Sequence, residues 1–262
     1  MSHFTVLVIG EDIEAILQPY HEYECTGIED QYVKFVPAEE SIEELQKEFE
    51  EQKDGGMQSL HEYIIDYYGY HTNEAGVWGR RTNPDRKWDW WQVGGRWSNW
   101  ILLKDGRKVD RCYKSDIDFE AKEAKCMNEA AIEYDKAMDI IDGTEPNKSW
   151  VEIRDSNHGV SIDIKREMYH AQARVIKWKE NVKDPFSSVD DYLKSKDDFI
   201  EEAKLRAWST YAICSKDGWL GKGDMGWWGI SSNEDADWTK KSVEYIKSLP
   251  DDTIITLVDC HI

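Results

Sequence analysis

The chain has 262 residues, enough to bury a full core as one large domain or two small ones. Its net charge of −20 and pI near 4.7 repel phosphate backbones, so general binding to DNA or RNA is not expected. No run of eighteen apolar residues occurs, and the opening MSHFTVLVIGEDIE lacks the basic region and cleavage site of a secretory signal, which argues against a membrane span and against export.

Residues 4–9 (FTVLVI) form a β-branched apolar run closed by Gly10, the pattern of a buried strand. Residues 11–18 suit a short helix stopped by Pro19, and PYHEYECTG follows as a loop. Residues 31–36 (QYVKFV) alternate as a second strand. SIEELQKEFEEQ at 41–52 puts Ile42, Leu45 and Phe49 on one helical face, opposite a solvated acidic one. Gly55-Gly56 breaks that helix, and residues 57–68 resume the period. Residues 69–88, rich in Gly, Asn, Arg and Pro, predict a long loop carrying Arg80, Arg81, Arg86 and Lys87, a basic island in an acidic chain.

Residues 88–103 read as two extended segments hinged at Gly94-Gly95, with a turn at 104–107. Long helices are predicted at 116–141 and 160–182, and residues 189–208 as helix in two pieces. YAIC at 211–214 is a strand, KDG at 216–218 a turn, and 225–229 a glycine-flexed loop. A helix at 235–249 leads to a buried strand at 253–259. The first and last strands are the most apolar, which places them side by side in the sheet centre. The expected fold is α+β: one domain over 1–262, with a mainly antiparallel sheet of ferredoxin-like type, packed helices and a helical insertion at about 115–185. That insertion offers a dimer surface or a lid, which leaves a homo-oligomer open.

Four segments offer chemistry. WDWWQVGGRW at 88–97 supplies indole faces on which a base can stack, at roughly 1–3 kcal/mol per base. Gly94 and Gly95 let backbone amides approach an anion, and Arg96 can grip a phosphate. In the structural alternative, alternate tryptophans face the core and Arg96 pairs with a surface carboxylate. HEYECTG holds His21, Glu22, Glu24 and Cys25, with His21 as a general base and Glu22 or Glu24 beside it. The closing DCHI brings Asp259, Cys260 and His261 to the end of a central strand, where His261 can meet the loop of residues 20–27. His21, Cys25, Cys260 and His261 would make a two-His, two-Cys zinc set, but the spacing matches no zinc pattern and neighbours on a strand point to opposite faces. GKGDMG at 221–226 lacks the Gly-Lys-Ser/Thr ending of a phosphate loop, though Lys222 can contact phosphate near Trp227 and Trp228. The five cysteines are scattered with no Cys-x-x-Cys, which predicts reduced thiols.

The blocks MSHFTVLVIG, PYHEYECTG, WDWWQVGGRW, GKGDMGWWG and VDCHI together resemble a family of proteins encoded by bacteriophages and some actinobacteria. The resemblance covers most of the chain outside 115–185 and carries no activity of its own. It implies a phage setting, in the cytoplasm of an infected bacterium, where small accessory proteins counter host defence.

The leading expectation is therefore a protein that sequesters a small phosphate-bearing nucleotide signal, such as a cyclic dinucleotide or a cyclic ADP-ribose derivative. Trp91 or Trp97 stacks the base, Arg96 holds phosphate, Gly94 and Gly95 allow close approach, and Arg80, Arg81 and Lys222 stand in second rank. The alternative is an enzyme of phosphodiesterase type that cleaves such a signal with His21, Glu22 and Glu24. A second alternative is an acidic DNA mimic that occupies a host defence enzyme. No cofactor and no metal are expected.

Overall fold

The computed structural model describes residues 2–51, 59–226 and 230–262. The Gly55-Gly56 break, the start of the helix expected at 57–68, and Trp227 and Trp228 lie outside them. The fold is α+β, as the sequence predicts. Among the described residues no helix is long and apolar enough to cross a membrane.

The central sheet grows around the first apolar run. His3–Ile9 pairs antiparallel with Ile254–His261 along its whole length, from His3 opposite His261 to Ile9 opposite Ile255. On its other side His3–Ile9 pairs with Ala212–Ser215, in parallel, and Gly218–Gly221 closes that edge as a hairpin. Two short strands share the far edge of Ile254–His261. Trp90–Val93 covers its second half and Arg111–Tyr113 its first, both antiparallel.

Alternation along the two central strands divides the core. Leu7, Ile9, Ile255 and Leu257 face one side, where Trp208, Trp238 and Ile246 complete a cluster. Phe4, Val6, Val8, Val258 and Cys260 face the other, packed with Ile13, Leu17 and Trp88. This parity puts His3, Thr5, Asp259 and His261 on the first side, at its polar end.

A separate cluster forms where Ala130, Ala137 and Ile141 of the helix Phe119–Ile141 meet Trp178 and, from beyond the expected insertion, Tyr192 and Phe199. The helix expected at 160–182 is two, Ile162–His170, whose first turn is capped by the Ser161 side chain, and Ala173–Asn181. The long loop expected at 69–88 is corrected in part. His71–Thr72 and Trp78–Thr82 form a small sheet with Lys34–Pro37, over a cluster of Leu45, Ile64 and Tyr70. Period-two patterning is invisible in WGRRT because both arginines flank the solvent.

Candidate functional site

The segment of residues 18–27 is fastened to residues 83–89 by backbone. Glu22 N–H donates to the Trp88 carbonyl at 2.6 Å, and Lys87 and Trp88 N–H both donate to the Tyr20 carbonyl. Asn83, fully buried, donates to the carbonyls of Pro19 and His21 at 2.8 and 2.9 Å. His21 belongs to this fastening. It is fully buried, with Nδ1 3.0 Å from Thr26 Oγ1 and Nε2 3.2 Å from Asp30. The structure thus places the expected general base inside the fold, away from solvent, where it holds the loop.

What the fastening presents is the pair next to it. Glu22 and Cys25 join Asp89 and His261 in the lining of a cavity of about 530 Å³, whose walls also include Ser2, Arg86, Met225 and Ile262. That volume suits a small organic ligand. His261 Nδ1 lies 2.6 Å from Asp89 Oδ1, and Asp89 N–H donates to the His261 carbonyl at 2.9 Å, so side chain and backbone set the pair together. A carboxylate only accepts, so the proton between the pair belongs to Nδ1, and in the neutral ring that tautomer makes Nε2 the acceptor.

A second pair stands beside the first. His3 Nδ1 lies 2.8 Å from Asp259 Oδ1, and the two imidazole rings meet edge to face at 4.9 Å. Asp259 is 1 % exposed. Its other oxygen accepts from the Arg96 backbone N–H at 3.0 Å. Trp90, opposite His261 on the next strand, stands 46 % exposed with its ring 6.1 Å from His3.

The WDWWQVGGRW stretch divides its labour. Trp88 is buried and donates from Nε1 to the Leu17 carbonyl at 2.9 Å, while Trp91 and Trp97 pack on opposite faces of the sheet. The indole open to a ligand is Trp90. Gly94 and Gly95 adopt left-handed φ of 70° and 54°, and the turn they make does cradle an anion. That anion is the chain's own Asp259, so the place expected for a ligand's phosphate is taken. The Arg96 side chain is exposed and has no ion-pair partner among the described residues.

The other expected cations are engaged away from this cavity. Arg80 Nε is 3.9 Å from Glu24, Arg81 pairs with Glu29, and Lys222 Nζ is 2.9 Å from Glu234. Arg86, which does line the cavity, has Nε 3.5 Å from Glu22. With Glu22 and Asp89 against Arg86 alone, the lining of the cavity is net acidic rather than cationic. Of the zinc set weighed from the sequence, Cys25 and His261 share the cavity while His21 and Cys260 are fully buried elsewhere. The donors that do converge are Glu22, Cys25 and Asp89, with one ligand atom each within 4.8 Å of the others, and these could hold a divalent ion.

Cys25 is exposed, but partial desolvation, a hydrogen bond to Glu22 and the charges of Glu22, Asp89 and Glu24 push its thiol up to about 11. At pH 8 its alkylation by iodoacetamide is expected to run roughly 100-fold slower than that of a free cysteine. Glu22→Gln removes a charge and should speed that labelling; an unchanged rate would show that Glu22 does not act on the thiol.

His3 and Asp89 escaped the sequence reading. The signal was available: pairing the first and last strands antiparallel sets residue 3 opposite residue 261. Compared with known proteins, the chain matches no family model, no curated protein and no solved structure.

Proposed function

We propose that the cavity beside the paired strands is an acid–base site that cleaves a small phosphate-bearing nucleotide. The observation that carries this reading is the His261–Asp89 pair opening on a ligand-sized cavity that also holds Glu22. His261 Nε2 takes a proton from the attacking water as the water oxygen bonds to phosphorus. The ester P–O bond breaks and the leaving oxygen takes a proton from solvent, with Asp89 fixing the tautomer and offsetting the charge that forms. Glu22, held near Arg86, is the second carboxyl within the same cavity. His3 supports the His261 ring from its edge, and Trp90 offers the exposed indole for a base. Arg80, Arg81 and Lys222 are engaged and Asp259 fills the Gly-Gly cradle. Phosphate capture would fall to the exposed Arg96 and to Arg86, while the His261–Asp89 pair favours chemistry over sequestration. The phage counter-defence setting comes from the sequence resemblance alone.

The test is incubation with a panel of cyclic dinucleotides and cyclic ADP-ribose derivatives, followed by chromatography before and after heat denaturation. A new species is the expected result. A compound that vanishes and returns intact on heating supports sequestration instead, and a panel that stays free throughout removes the small-nucleotide reading.

A further inference from the structure

A second cavity, of about 580 Å³, lies between the start of the helix Phe119–Ile141 and the helix Lys196–Arg206. Trp100, Lys122, Cys126, Glu129, Tyr192 and Phe199 are among its walls. Lys122 is the fourth residue of its helix, where the dipole disfavours a cation. Its Nζ stands 3.2 Å from the centre of the Trp100 ring and 4.2 Å from that of Trp208, and donates to the Trp100 carbonyl at 2.7 Å. In a chain of net charge −20 it has no carboxylate partner among the described residues.

Three features then act on one amine. Burial is the largest, and pushes Lys122 down to about 7; Cys126 opposes this, while the like charges of Lys108 and Lys125 add to it. The two indole faces pull the other way, since they favour the ammonium. Lys122 is itself one of the cavity's walls, which leaves room for a partner beside its side chain. Glu129, Glu133, Asp184 and Asp191 line the same cavity with Lys194 and Arg206, and none of these carboxylates forms an ion pair with Lys122. A desolvated lysine without such a partner is how proteins obtain a neutral amine near pH 7.

We propose that Lys122 is a nucleophilic amine that takes a small aldehyde or ketone into this cavity and binds its carbonyl carbon as an imine. The nitrogen lone pair forms the C–N bond as the carbonyl π pair moves to oxygen. A proton passes from nitrogen to that oxygen through water, giving a carbinolamine. The hydroxyl then leaves as water with one further proton from solvent, and nitrogen loses its last proton to solvent as C=N forms. Nothing is oxidised or reduced, and the step is independent of the His261 cavity.

The test is reductive alkylation of the folded protein with propanal and cyanoborohydride, mapped peptide by peptide. At pH 7 an amine near 7 is half neutral, whereas an ordinary lysine is neutral to roughly one part in 2,500. Lower basicity gives back part of this, so Lys122 is expected to label at least tenfold faster than the median lysine, reaching half its maximal rate near neutral pH. Unfolding in guanidinium should return it to the median. Lys122→Arg keeps a cation over the tryptophans and should lose this label alone. A Lys122 rate less than tenfold above the median, or one that rises only above pH 9, overturns the proposal and shows that the indoles keep the amine charged.

Discussion

Gly95→Ala is expected to cost about 3 kcal/mol or more, and Gly106→Ala about 1 kcal/mol. Both residues have positive φ, 54° and 83°, so both substitutions carry the backbone strain of a left-handed alanine. They differ in what a methyl meets. At Gly106 nothing lies within 4 Å, while at Gly95 it would stand 2.8 Å from Asp259 Cγ and closer still to Cβ and Oδ2. Asp259 cannot retreat, because it is buried, bonded to His3 and to the Arg96 amide, and sits in the central strand. Moving it would leave a buried carboxylate short of partners. For a chain of this length the Gly95 variant should melt roughly 6–12 °C lower. Equal losses at the two glycines, read by thermal unfolding, would mean that the turn yields and the Asp259 cradle is loose.

The second large effect concerns chemistry. His261→Gln should lower turnover of a cleaved nucleotide by roughly 10²–10⁴-fold while binding and melting temperature stay close to the parent. Asp89→Asn should fall nearly as far, because an amide can donate to Nδ1 and so hold the proton on Nε2, the wrong tautomer for a base. Full activity in both variants would take catalysis away from this pair.

The fold was readable where one physical signal dominated. FTVLVI and TIITLVD carry more apolar density than any other strand, and burial alone puts such runs together in the centre. The long helix at 119–141 declared itself by period and by its caps. The small sheet at 71–82 did not, because WGRRT packs only one face and its loop-like glycine and arginines hide the alternation. At the site, Glu22, Cys25 and His261 were legible as reactive types in a loop and at a strand end. Asp89 was lost among tryptophans, and His3 among the first residues. Their importance comes from register and from partners more than 150 residues away, which no local pattern encodes. His21 misled for the same reason: composition shows a histidine but not the Asn83 bracket that buries it.

The strand Ile254–His261 lies between His3–Ile9 on one side and Trp90–Val93 with Arg111–Tyr113 on the other. During synthesis these neighbours emerge long before the strand that joins them, so two apolar edges wait unpaired for most of translation. Closing the sheet then means inserting a central strand across a separation of about 250 residues, the kind of non-local pairing that slows folding and exposes intermediates to aggregation. The acidic surface offers a remedy, since partly folded copies that all carry strong negative charge repel one another while they wait.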